Sequence, residues 1–225
     1  MKVNLRTELP QWLLMAGMFL ASAIAWPTTP DRVPMHWNAA GEVDGYGGKL
    51  EGPFLLPTIT LGLYLLLLFL PRIDPGRANY SLFSGSYAII RISMVVLMAA
   101  IHALVLLWIK DIKVNASLVV MTGVGLLFIV IGLVLGKVQP NWFVGIRTPW
   151  TLSSRRSWVR THRLGGWLFI AMGLVMIAAE FLSASLMAPV ILATTLGSVV
   201  VMFVYSYLEW RKDPDKLPPG SRLPG

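Results

Sequence analysis

The sequence predicts an all-α fold: a polytopic membrane helix bundle of about six transmembrane helices with both termini cytoplasmic. Three observations carry this. Of 225 residues, 56% are apolar and only 13% charged, whereas a soluble domain is about one quarter charged. Charge-poor runs long enough to cross roughly 30 Å of hydrocarbon recur along the chain. The basic residues also alternate in density from one connecting segment to the next.

The spans follow in order. Leu9 to Pro30 holds the first and Gly52 to Pro71 the second. Ile92 to Ile109 is the third, beginning about a turn earlier, past Arg91. Val114 to Gly136 is the fourth. From Leu164 to Leu208 the only charge is Glu180. As one helix that stretch would run about 67 Å, enough for two crossings. Ser183 to Pro189 is the place to turn, because proline suits the first turn of a helix. The first span has a basic start and ends in small residues before Trp26, as a signal peptide does. It is expected to stay as an uncleaved anchor, with Pro27 close behind.

Six spans put both ends on one side, and the positive-inside rule selects the cytoplasm. With that assignment the inner segments hold Lys2 and Arg6, then Arg72, Arg77 and Arg91, then Lys137, Arg147, Arg155, Arg156, Arg160 and Arg163, and finally Arg211, Lys212, Lys216 and Arg222. The outer segments hold Arg32, Lys49, Lys110 and Lys113. The net charge of +8 thus tracks the inner face span by span, which argues for an anionic membrane surface and against nucleic acid. There is no cysteine, so disulfides and thiolate metal sites are excluded. No cofactor is called for. The glycosylation-type spacing Asn115-Ala-Ser117 is assigned no role.

Two polar segments hold most of the information. The first, Pro27 to Lys49, lies outside and is stiffened by Pro27, Pro30 and Pro34. Asn38 to Gly41 and Asp44-Gly45 are turn signals, and Met35, Trp37 and Tyr46 can rest on the membrane. This is an ordered, compact loop: either an interfacial cap over the bundle or a surface that meets an extracellular ligand. The second, Asn141 to Gly166, lies inside. Thr151 or Ser153 can cap a short interfacial helix from about Leu152 to Arg163. On it Trp158 and His162 are neighbours, Gly145 and Pro149 shape the turn before it, and Trp150 and Trp158 seat it at headgroup depth. The tail from Arg211 to Gly225, rich in Pro and Gly, is expected to be disordered.

Within the spans, ionisable residues are functional candidates by default. Arg91 stands near an inner end and can snorkel. His102 and Glu180 both lie in the outer third, beneath the loop that carries His36. Two outcomes stay open: a neutral, hydrogen-bonded histidine beside an interfacial glutamate, or one outward-facing polar pocket of His36, His102 and Glu180. The spacing offers no metal motif such as H-E-x-x-H. No nucleophile–base–orienter set is present either, so an enzyme is not expected.

The string NWFVGIRTPWTLSS followed by Trp158 and Thr161-His-Arg-Leu-Gly-Gly resembles the signature of the SdpI family of bacterial membrane proteins. The outer stretch PDRVPMHWNAAGEVDGYGGK resembles a domain of unknown function, DUF1648, found at the N-terminus of such proteins. The resemblance divides the chain into a DUF1648-like part (1–87, with the ordered loop 27–53), an SdpI-like part (88–210, with the basic loop 137–164) and the tail (211–225). It carries over to Pro30, Pro34, His36, Trp37, Asn38, Gly41, Asp44 and Gly45 outside. Inside it carries over to Asn141, Gly145, Arg147, Thr148, Pro149, Trp150, Thr151, Trp158, His162 and Gly165. Arg155 and Arg156 depart from it, standing where acidic or neutral residues are expected. The resemblance implies an integral protein of the bacterial plasma membrane in contact with lipid, giving resistance to a secreted antimicrobial peptide or sensing it, with signalling to a cytoplasmic transcriptional regulator. The alternative is a small transporter or exporter, for which the glycines within the spans and the span count are the favourable features.

Overall fold

The computed structural model describes residues 5–38, 41–219 and 221. Seven helices run in the order α1 (Leu5–Ala25), α2 (Glu51–Ile73), α3 (Ser84–Ile109), α4 (Ala116–Leu135), α5 (Pro149–Leu152), α6 (Arg155–Ala179) and α7 (Ala184–Arg211). All but α5 are long and apolar enough to cross a membrane. Between α1 and α2 stands a two-stranded antiparallel sheet, β1 (Arg32–Trp37) and β2 (Val43–Gly48).

That hairpin was expected only as an ordered loop. Its strands are short, two-fold in pattern and broken by prolines and glycines, so β-propensity alone does not mark them. The turn is set by Gly41 at φ +78° and by Asn38, whose side chain accepts from the Glu42 N–H and donates to the Glu42 carboxylate. Val33, fully buried, fastens the sheet to Val105 and Ile109 of α3 and to Gly52 in the first turn of α2.

The helices pack as two groups. In one, α1, α2 and α3 contact each other; in the other, α6 packs on both α4 and α7, and α3 against α4 is the seam. The junction placed at residues 87 and 88 falls within α3. Helices α4 and α6 make the closest crossing. A Cβ added at Gly132 would stand 2.6 Å from the Gly166 carbonyl oxygen, and one at Gly125 would stand 2.7 Å from that of Gly173. Seven-residue spacing on both helices thus lets two backbones touch, as small residues do in membranes. Around Gly17, Gly62 and Gly197 the space is open, so only part of the glycine content serves packing.

The first group is tied by charge. Arg91 does not snorkel: it is fully buried and paired with Glu8 of α1. Arg91 Nη1 donates to Glu8 Oε2 at 3.1 Å and Nη2 to Oε1. Tyr64 of α2 donates to Glu8 Oε2 at 2.9 Å and accepts from Trp12 Nε1 at 2.6 Å. Helix α1 is already helical at Leu5, ahead of the expected Leu9, which takes Glu8 into the bundle, and α3 starts at Ser84, which takes Arg91 well inside.

Prolines inside helices explain two further contacts. Pro57 and Pro71 lack an N–H, so the carbonyls of Pro53 and Leu67, four residues earlier, lose their helical donor. His102 Nε2, 3.0 Å from the Pro53 oxygen, and Ser22 Oγ at 2.6 Å replace the first. The Tyr87 hydroxyl at 2.5 Å replaces the second. At the last turn, Ser183 precedes α7, and Pro189 lies inside that helix rather than in its first turn. Asn115 caps α4 by accepting from the Leu118 N–H.

Removing either member of the Glu8–Arg91 pair leaves a buried charge, at about 3–5 kcal/mol. Glu8→Ala and Arg91→Ala are each expected to lower the thermal midpoint in detergent strongly. Glu8→Leu with Arg91→Met is expected to recover most of the loss. A double variant as unstable as the worse single one would sink this account.

Candidate functional site

The two motif-bearing segments lie at opposite ends of the bundle. At the hairpin end, β1 leans over a cavity of about 740 Å³ between α3, α4 and α7, a size typical of small-molecule sites. Its wall is mostly apolar and includes Met35, Trp37, Ile101, Met121 and Met187, with His36 at the hairpin side. Methionines make such a wall adaptable in shape. Trp37 packs edge-on against Trp108 at 5.6 Å between centroids, and its Nε1 has no hydrogen-bond partner among the described residues. His36, with a side chain 72% exposed, meets Asp44 across the sheet at 2.5 Å. Gly45 opposes His36 in the register, where a Cβ would stand 2.7 Å from that of His36. Pro30 is exposed ahead of β1, and Pro34 pairs with Tyr46.

Of the two outcomes left open, the pocket of His36, His102 and Glu180 does not form as one site. His102 is buried beneath the hairpin, held by the Pro53 carbonyl and by Ser22 Oγ at 2.9 Å. A carbonyl can only accept, so Nε2 carries the proton of that bond. Glu180 accepts from Ser117 at 2.9 Å and joins the ends of α4 and α6. Ser117 lines the cavity, so Glu180 stands one residue behind its wall. Of the three, only His36 reaches the cavity.

At the other end, the signature loop is a knot of satisfied polar groups. The Asn141 side chain accepts from the N–H groups of Phe143 and Val144 and donates to the carbonyls of Gln139 and Val144. Gly145 has φ +112°, and a Cβ there would stand 2.3 Å from His162 Nε2. That nitrogen accepts from the Ile146 N–H at 3.0 Å, while Nδ1 donates to the Trp158 carbonyl at 2.8 Å. His162 is therefore a neutral spacer with both nitrogens used. Trp158 stacks on it at 4.1 Å and donates to the Val138 carbonyl at 2.8 Å.

The expected helix from Leu152 to Arg163 is instead two elements. Thr148 and Thr151 form a reciprocal capping box on the single turn α5. Ser154 then caps α6, which runs unbroken from Arg155 into the membrane span. Trp150 packs on Phe203 and Tyr207 of α7. Gly165 faces Ile146 where a Cβ would stand 2.3 Å away. Arg147 is exposed and donates to the Trp142 carbonyl, and Pro149 is exposed at the start of α5.

Several partners of this knot were not picked out in the sequence. Asp74 is buried and accepts from the N–H groups of Gly76 and Trp142 and from the Tyr80 hydroxyl. Asn79 donates to the Pro140 carbonyl at 2.7 Å. These bonds join the α2–α3 connection to the signature loop, and the Asp74-Pro75-Gly76 turn signal was their trace in the sequence. The described part of the tail, expected with the rest to be disordered, packs here as well. Ser154 Oγ donates to the buried Asp213 at 2.5 Å, and the Leu217 N–H donates to the Ser153 carbonyl at 2.9 Å.

A side chain at Gly145 would both strain a positive φ and strike His162. Gly145→Ala is expected to lower the thermal midpoint by several degrees, while Arg147→Ala, at an exposed position, leaves it nearly unchanged. Equal effects would show that the loop is not the rigid knot described.

Comparison with known proteins bears out the resemblance in both parts. Residues 137–207 match the model of the SdpI/YfhL protein family, and residues 13–61 match that of the domain of unknown function DUF1648. The immunity protein SdpI of Bacillus subtilis (strain 168) is 24% identical over 194 residues, covering 86% of this chain and 91% of that protein. No solved structure matches.

Proposed function

We propose that this chain, with its SdpI-family and DUF1648 parts, is a multi-pass membrane immunity protein of the bacterial plasma membrane that intercepts a secreted, membrane-active peptide. The observation that carries this is the apolar cavity roofed by the hairpin motif. An amphipathic peptide arriving at the membrane surface would place apolar side chains against Met35, Met121 and Met187, with its polar side toward His36 and Asp44. Captured there, it is held out of the bilayer. The 24% identity to an immunity protein along most of both chains supports the same role.

The hairpin end faces outside in this proposal, and the basic loop faces the cytoplasm, because fourteen of the nineteen Lys and Arg then fall inside and four outside, Arg91 being buried within the bundle. The chain has no cysteine, so single-cysteine labelling reports sidedness cleanly. Tyr46→Cys is expected to react with an impermeant maleimide on intact cells, and Arg155→Cys only after lysis. The reverse pattern would overturn the orientation.

The position of the cavity supports a sensing role. It spans β1, α3, α4 and α7, so it crosses the seam between the two helix groups. A peptide that binds one arrangement of the groups better than another shifts their balance. The Asp74–Trp142 and Asn79–Pro140 bonds at the opposite end join the same two groups, and a cytoplasmic regulator docking there would read the shift.

The test is survival of a sensitive bacterium challenged with secreted antimicrobial peptides. Wild type is expected to protect, and Met121→Trp, which fills the cavity, to lose protection at matched membrane levels. Protection by the filled variant equal to wild type would remove the cavity from the mechanism. Failure of wild type to protect against any peptide would shift the weight to the transport alternative.

A further inference from the structure

Helix α6 begins with a basic face that the peptide-binding end does not use. Arg156, Arg160, Arg163 and Trp167 recur at three- and four-residue spacing and so share one stripe of the helix. All four are exposed, Trp167 by 73%. Farther along the same stripe Ala171 and Leu174 are exposed and uncharged. Arg163 runs beside Gly136 at the end of α4, next to the exposed Lys137. Beside the stripe, Arg155, Arg156 and Arg160 line an open cavity of about 590 Å³ together with Asp213, Asp215 and Leu217 of the tail.

Asp213 and Asp215 of the tail already bring negative charge to this cavity, which leaves the stripe as the surface open to an anion. Glu209 pairs with Arg156 Nε and with Lys212. Asp213 accepts from Ser154 Oγ and from the Asp215 N–H. Arg155, Arg160 and Arg163 have no ion pair among the described residues. Arginine left unpaired at the edge of a membrane is matched by phosphate oxygens, which it can hold with two parallel hydrogen bonds.

We propose that Arg160 and Arg163 hold the phosphate of an anionic phospholipid whose acyl chains lie along Trp167 and Leu174. The dimensions agree. Trp167 stands about 10 Å beyond Arg160 along the helix, the distance from the phosphates to the upper acyl chains, where tryptophan rings settle. Charge complementarity selects an anionic headgroup over a zwitterionic one. The bound lipid would bridge α6 and the end of α4, steadying the signature knot from outside.

The experiment uses the full chain in neutral detergent, with bound lipid counted by native mass spectrometry during titration. The probes are dioleoyl phosphatidylglycerol, dioleoyl phosphatidylcholine, inorganic phosphate and a polyglutamate peptide. Wild type is expected to bind phosphatidylglycerol in preference to phosphatidylcholine. Arg160→Gln with Arg163→Gln is expected to weaken that binding about five-fold for each arginine removed. Arg160→Lys with Arg163→Lys is expected to fall between. Equal binding of the two lipids by wild type overturns the proposal, and that comparison needs no variant to fold. Undiminished phosphatidylglycerol binding by the glutamine variant also overturns it. Full competition by inorganic phosphate assigns a small-anion site instead, and tighter binding of polyglutamate assigns a docking face for an acidic protein; either result rejects the lipid.

Discussion

A hydrocarbon core offers no water to a polar group, so each one must find its partner within the protein. Much of the architecture follows from that single requirement. Glu8 and Arg91 would each be untenable alone, and together they draw α1 onto α3, with Tyr64 bringing in α2. Pro57 and Pro71 open two gaps in the α2 ladder, and His102 and Tyr87 of α3 fill them. The three N-terminal helices are thus assembled by polar debts rather than by greasy complementarity, since lipid is as apolar as leucine.

The second group meets the same requirement differently. Where α4 and α6 cross, glycines bring the backbones within contact, and dispersion across that surface takes the place of hydrogen bonds. The two groups meet along α3 and α4. At the loop end the seam is zipped by Asp74, Asn79 and Asn141; at the hairpin end it broadens into an apolar cavity. One end is rigid because its polar groups are satisfied by each other. The other offers room because its walls are apolar and rich in methionine.

This division also sorts the motif residues. Asn141, Gly145, Thr148, Thr151, Trp158, His162 and Gly165 are occupied in holding the loop's shape. Their side chains leave little free for a partner. His36 and Asp44 at the hairpin, and the arginine stripe of α6, are the exposed polar groups positioned to meet something else. A histidine in a signature string is not thereby a ligand: His162 spends both nitrogens on the backbone, whereas His36 stands largely in the open.

The sequence by itself determined the six spans, the two polar segments and the charge asymmetry. Hydropathy and charge add up along the chain, and crossing a membrane is a local demand of about twenty residues. Glycine and proline were equally legible as turn and packing signals, since their backbone properties do not depend on neighbours. Pairing was not legible. Glu8 and Arg91 are 83 positions apart, and neither reports the other. The same holds for Asp74 with Trp142 and for Ser154 with Asp213. The hairpin escaped notice because its strands are anchored by Val33 against helices distant in sequence, and the sequence left open whether His36, His102 and Glu180 share a pocket because depth in a span says nothing about direction around it. Only the tertiary structure decides which faces meet, and with them which polar groups are spent and which are free.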